Sequence, residues 1–326
     1  MKGLYQLAAL LLAPFAFLPT VVFPGPQPAY GTIPAPADEP VKRPNTGEPT
    51  TWNAWAMSIA RDAEPAQAWL SQSSAYQGGA VLLIVSGATS ANVSFLGASI
   101  DLEPVAGSLR AYLGVGTLVS PGAEAMTVEV IDRTGAPETF NLEVTVLETN
   151  WTVDFIVLPP GVGSGLTPEI VQAESDRLAA IYSGATPPAW TGTWQWPVAN
   201  DTRITGYFGE QRSFNGGTPT GHHGGTDFGS GFLDPIWPTN GGTVVLAEEL
   251  AVRGNTVIVD HGGGIFTGHS HLESVAVAVG QTVTTSDIIG FVGTTGLSTG
   301  YHLHWEFSVH GVLVDGLRWL DGTQGF

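Results

Sequence analysis

The chain has 326 residues, with 29 acidic against 11 basic side chains, a formal net charge of −18, and no cysteine. So few cations cannot build the basic face that a phosphate backbone requires, which argues against a nucleic acid partner. Without cysteine there is no disulfide framework and no thiolate ligand or nucleophile. The 43 Gly and 23 Pro, with only 12% charged residues, indicate a mainly β chain rich in turns and long enough for two domains.

Met1-Lys2 precedes an apolar run from Leu7 to Phe23, the pattern of a secretory signal. Residues 1–31 are read as a signal peptide cleaved near Ala29-Tyr30-Gly31, or as an uncleaved anchor. Pro14 and Pro19 disfavour a spanning helix of about 20 residues and so favour cleavage. The expected location is secreted or cell-envelope, with membrane contact only through this segment if it is retained. Residues 32–77 form a proline-rich tether followed by a stretch with Trp52, Trp55, Ile59 and Trp69 whose approximately helical spacing breaks at Pro65.

From 78 to 159, six β-prone runs alternate with turn signals, as in AVLLIVSG and AMTVEVIDRTG. This spacing predicts an immunoglobulin-like antiparallel β-sandwich. It carries no ionisable cluster of a catalytic kind. Residues 160–190 read as a linker with one helix, PEIVQAESDRLAAIY, capped by Thr167, with Pro168 in its first turn and Gly184 as its stop. Residues 191–326 return to strands and glycine turns, as expected of an antiparallel β-sheet domain.

All eight histidines lie between His222 and His310, and they come in sets. His223 and Asp227 flank Gly224-Gly225-Thr226. In a straight strand they would lie about 13 Å apart, so the paired glycines are expected to bend the chain and bring them together. From His302 to His310 polar and apolar residues alternate without error, the signature of a strand with one face in a core. His302 and His304 then share a face. His269 and His271 would also share a face if extended, following a glycine-rich hairpin at Asp260 to Gly264, with one functional and one bystander. His261 and His310 read as surface or turn residues. Two imidazoles and a carboxylate suit zinc and leave a fourth tetrahedral position open, as in a catalytic site.

The segment from Arg203 to Leu320 resembles the lysostaphin/LytM-type zinc metallo-endopeptidases, which hydrolyse peptide bonds in bacterial peptidoglycan. The resemblance rests on GYFGEQR (206–212), HGGTDFG (223–229), GNTVIVDHGGG (254–264), HLESVAVAVGQTV (271–283) and IGFVGTTGLSTGYHLHWEF (289–307). It implies that His223, Asp227 and His304 bind Zn²⁺, and that His302 and His271 are catalytic, as general base and oxyanion stabiliser in either order. Glu306, on the face of His304, is expected to support that ligand. His222 and His269 are neighbours, and His269 stands where Tyr is usual in the family. The glycine-rich segments Asn215 to Thr220 and Leu297 to Gly300 are candidate groove walls. The implied protein is a monomeric, secreted zinc endopeptidase acting on a peptidoglycan peptide. The alternatives are a non-catalytic wall-binding regulator on the same fold, or a zinc hydrolase of glycine-rich proteins.

Overall fold

A computed structural model describes residues 65–320. The expected signal or anchor at 1–31 and the tether up to residue 64 lie outside the described residues. Among the described residues no helix is long and apolar enough to cross a membrane.

The described residues are mainly β, with one long helix among them, Pro168–Tyr182, and one single turn, Leu317–Leu320. The N-terminal half holds two sheets. One runs in the order Gln67–Leu70, Ala80–Ser86, Ser108–Gly114, Glu103–Val105. The other runs Ser74–Tyr76, Pro137–Leu147, Gly122–Asp132, Ala88–Phe95, Ala98–Asp101. Both give their alternate apolar positions to one core that includes Val81, Leu83, Val93, Val128 and Val144, as period-two burial requires. These strands begin at Gln67 rather than Gly78. Trp69, expected on a helix-like stretch, lies instead on the first of them. At the other end Val153–Ile156 leaves this half and pairs in parallel with Gln211–Phe214.

The C-terminal half is built on a sheet whose main path runs Arg203–Gly206, Thr226–Gly229, Leu303–Val309, Ile265–Val275, Gly254–Gly262, Gly242–Leu250, Thr282–Val283. The HLH strand, Leu303–Val309, therefore lies between the HxxxD strand, Thr226–Gly229, and Ile265–Val275. Its register sets Asp227 opposite His304, and Ser270 opposite His304 on the other side. Trp305, Phe307 and Val309 enter the core.

The polar positions of the HLH strand also leave water, because the long helix covers much of that face. Glu174, Leu178 and Tyr182 recur every four residues and form its buried stripe. Leu178 and Tyr182 join Leu246, Leu250, Ile258 and Phe266 in a second cluster. The helix starts as expected, with Thr167 Oγ1 accepting from the Ile170 amide. The two halves meet through Tyr112, whose ring lies 5.8 Å from Trp190 and 5.2 Å from Trp319 between centroids. There, Gly114 leaves room for Val312, which a Cβ would approach to 2.8 Å.

Candidate active site

His223 lies in the turn before the HxxxD strand, and Asp227 lies on the strand itself. The glycines between them make the bend. A Cβ on Gly225 would stand 2.3 Å from the Trp305 carbonyl oxygen, so only glycine lets this turn press on the HLH strand. A Cβ on Gly206 would stand 2.8 Å from Asp227 Oδ2, so that position too must be bare.

The structure brings three donor atoms into a triangle. His304 Nδ1 is 2.8 Å from Asp227 Oδ1, His223 Nε2 is 3.1 Å from the same oxygen, and the two nitrogens are 3.0 Å apart. Each partner is held from behind. His223 Nδ1–H donates to the Tyr207 carbonyl at 2.8 Å. His304 Nε2 faces Glu306 Oε1 at 3.4 Å. Asp227 Oδ2 accepts from Arg212 at 3.0 Å. With its outer nitrogen so engaged, His223 turns a lone pair toward the Asp227 oxygen, and His304 does the same at Nδ1 when its proton sits on Nε2 against Glu306.

That convergence of acceptors fits a cation. Four carboxylates, Asp154, Glu174, Asp227 and Glu306, pair here with only two guanidiniums, those of Arg212 and Arg253, leaving two negative charges in excess. In a tetrahedral zinc site with bonds of about 2.0–2.1 Å, ligand atoms stand about 3.3 Å apart, close to the edges of this triangle. Burial would raise the Asp227 carboxyl, but His223 and His304 outweigh it and hold it well below its ordinary range. Burial lowers the His223 imidazole. For His304, burial acts the same way but is overcome by Asp227 and Glu306, and its proton affinity ends above the ordinary value.

His302 and His271 flank the triangle. The His302 Nδ1–H donates to the Gly300 carbonyl at 2.9 Å, and its Nε2 lies 3.8 Å from Asp227 Oδ1. His271 Nδ1–H donates to the Thr295 carbonyl at 2.8 Å, and its ring centroid is 4.8 Å from that of His302. Both rings are thus neutral tautomers with a free Nε2. Burial lowers both, His271 to about 3 with help from His304 and His302.

The expectation that His269 and His271 share a face is corrected. His271 has a left-handed backbone, φ 63°, and its amide donates to the Arg253 carbonyl at 2.8 Å. This irregularity breaks the strand alternation and turns His271 toward His302. His269 instead is fully buried, with Nδ1 3.4 Å from the Val257 carbonyl and its pKa lowered to about 3 by burial.

His261, expected at the surface, is also fully buried. Residues 186–189 cross the Gly262–Gly264 turn above it, with Ala189 N–H donating to its carbonyl, and Trp194 packs edge-on at 5.0 Å. His310 is half-buried in a turn, with φ 48°. His222 donates through Nδ1 to the Gly209 carbonyl at 2.7 Å and lies against Trp151.

Of the two candidate groove walls, Leu297 to Gly300 contributes Ser298, Thr299 and Gly300 to a cleft of about 550 Å³. Its facing wall is the Pro159–Leu166 segment, which sequence reasoning did not single out. Residues 215–220 lie in the hairpin between Gln211–Phe214 and Thr220–His222 and do not line this cleft. Also missed were Arg212, Tyr182, Arg253 and Glu174. The signal for Tyr182 and Glu174 was their place on one apolar helix stripe with no reason in packing to be polar.

Comparison with known proteins follows this geometry. Residues 221–316 match the model of Peptidase family M23. The chain is 33% identical over 124 residues to the peptidoglycan DD-endopeptidase ShyA of Vibrio cholerae serotype O1, spanning 38% of this chain and 29% of that protein. To the peptidoglycan DD-endopeptidase ShyC of the same organism it is 37% identical over 90 residues, 28% of this chain and 21% of that one. The chain thus spans under a third of the length of these curated relatives. A crystal structure from Pseudomonas aeruginosa described as peptidase M23 superposes with a TM-score of 0.56 at 22% identity, covering 75% of this chain and 94% of that one. That likeness concerns the fold.

Proposed function

From the premise that residues 221–316 form a Peptidase family M23 domain, we propose that the chain is a zinc-dependent endopeptidase of bacterial cell-wall peptidoglycan. The observation that carries this reading is the triangle of His223 Nε2, Asp227 Oδ1 and His304 Nδ1, with two neutral histidines beside it. The relatives named as peptidoglycan DD-endopeptidases support the substrate class. Action on that substrate places the protein outside the cytoplasm, in keeping with the apolar run at Leu7 to Phe23. The two sheets of the N-terminal half are read as an immunoglobulin-like module.

His223, Asp227 and His304 would hold the zinc. When bound, the ion supplies Lewis acidity for the scissile carbonyl and lowers the pKa of a water. The chain's own residues do the rest. His302, less buried than His271, accepts the water's proton at Nε2 while the Gly300 carbonyl keeps Nδ1 protonated. It then returns that proton to the leaving amine nitrogen. His271 faces the same space with its proton held at Nδ1 by the Thr295 carbonyl, so its Nε2 is an acceptor that can orient the attacking water. The cleft beside Ser298 and Gly300 offers room for the substrate chain.

A purely wall-binding role is not favoured, because it gives no reason for two neutral histidines to converge on the donor triangle. The deciding experiment is digestion of purified peptidoglycan by zinc-loaded protein, with mass analysis of the soluble products. Release of cleaved stem peptides or cross-bridges, lost in His302→Ala, is expected. Intact peptidoglycan after full zinc loading would overturn the reading.

A further inference from the structure

The helix Pro168–Tyr182 lies outside the stretch 221–316, yet two of its side chains end behind His304. Packing on Phe266 and Ile258 accounts for Leu178 and for the Tyr182 ring. It does not account for a buried Glu174 or for the Tyr182 hydroxyl. Glu174 accepts the backbone N–H of Val252 at 2.6 Å and of Arg253 at 3.2 Å, and also the Arg253 guanidinium at 3.2 Å. Arg253 donates onward to Glu306 Oε1 through Nε at 3.2 Å and Nη2 at 2.5 Å. Tyr182 donates its hydroxyl to Glu306 Oε2 at 2.8 Å.

Glu306, 1% exposed, is therefore clamped from the helix side on both oxygens. Its Oε1 is fixed where it can accept only one further proton, that of His304 Nε2. A His304 ring protonated there presents a lone pair at Nδ1 to the Asp227 and His223 side. The same helix carboxylate acts on a second site residue. By gripping the Arg253 amide it holds the turn whose carbonyl accepts the His271 N–H.

We propose that the linking helix is a working part of the metal site, with Tyr182 and Glu174 as positioning residues. Acting through Glu306 and Arg253, they hold His304 in the tautomer and orientation that bind the ion. This rests on the zinc reading given above. Backing carboxylates of this kind contribute roughly 10- to 100-fold to metal affinity. Coupling is reciprocal, so zinc in turn tightens the helix against the sheet.

The test uses the full chain and reads zinc affinity by competition with a chromophoric chelator, alongside amide hydrogen exchange over residues 168–182 with and without zinc. Tyr182→Phe keeps the ring against Phe266 and removes only the hydroxyl. It and Glu174→Gln are each expected to weaken zinc about tenfold or more, and Glu306→Gln at least as much. Zinc is expected to slow helix exchange in the unaltered chain and to do so less in Tyr182→Phe. Zinc affinity within about twofold of the unaltered chain in both helix variants, whatever their loss of stability, overturns the proposal and leaves the zinc reading standing. If Glu174→Gln does not fold, Tyr182→Phe decides alone. An unaltered chain that binds no zinc removes the zinc reading and this inference together.

Discussion

Nε2 of His223 and Nδ1 of His304 stand 3.0 Å apart across a sequence separation of 81 residues, each ring having its other nitrogen against an oxygen acceptor. Without metal, a proton on His304, held there by Asp227 and Glu306, can fill the space between these atoms, and zinc would take its place. Replacing His304 or Asp227 with Ala is accordingly expected to abolish stoichiometric zinc in elemental analysis. Asp227→Ala should in addition destabilise the metal-free protein by about 1–3 kcal/mol, because it leaves Arg212 without its buried acceptor. Full zinc content in either variant would contradict the ligand set.

His302 is expected to separate from the ligands. With its Nδ1–H on the Gly300 carbonyl and its Nε2 at 3.8 Å from Asp227, His302→Ala should keep zinc while losing about 10²- to 10⁴-fold in turnover. Parallel loss of zinc and activity would instead make His302 a ligand.

The bend at Gly225 is tested by Gly225→Ala. Its Cβ would meet the Trp305 carbonyl oxygen at 2.3 Å, and backbone cannot yield as a flexible side chain does. A loss of about 1–3 kcal/mol in urea unfolding, typical of overpacking, is expected together with weaker zinc binding. Unchanged stability would mean the turn has room that this geometry denies it.

His261 gives a pH prediction. Its Nδ1–H donates to the Gly241 carbonyl and its Nε2 accepts from Thr267, both at 2.8 Å, so the neutral ring is satisfied. Burial lowers its pKa to about 4. Its unfolded value is about 6.5, so as pH falls the unfolded chain takes the proton first. Stability is then lost between about pH 6.5 and 4, to the extent of about 3 kcal/mol, and this group adds nothing further below that. Urea midpoints of the metal-free protein at several pH values should show the fall, to which His269 and His271 also contribute, and His261→Asn should make it shallower. An equally steep fall in the variant would assign the effect to other groups.

Much of the site was legible because its spacing is local. The paired glycines announced the bend in HxxxD, and the alternation from His302 to His310 announced a strand with both site histidines on one face. The placement of His271 was not legible. A left-handed residue within a strand reverses alternation, and nothing in the side-chain pattern marks it. His261 was misplaced because its burial comes from residues 186–189 folding over a turn some 70 positions later. The partners of Tyr182 and Glu174 were unreadable for a like reason. A polar residue on an apolar helix stripe finds its meaning only in a partner on a distant strand, here Glu306, 124 residues beyond Tyr182.

The parallel strand Val153–Ile156 bears on how separable the two halves are. It follows strand Pro137–Leu147 directly, yet its hydrogen bonds go to Gln211–Phe214, and its Asp154 stands 3.6 Å from the Arg212 guanidinium that holds Asp227. The chain thus donates an edge to the second half before it has begun to build that half. A fragment cut at residue 191, where composition alone would divide the molecule, would keep every histidine and Asp227 but lose a strand, the helix and two of the carboxylates around the site, Asp154 and Glu174. The smallest autonomous catalytic unit is therefore expected to start before Trp151, and the two halves are interleaved along the chain rather than joined end to end.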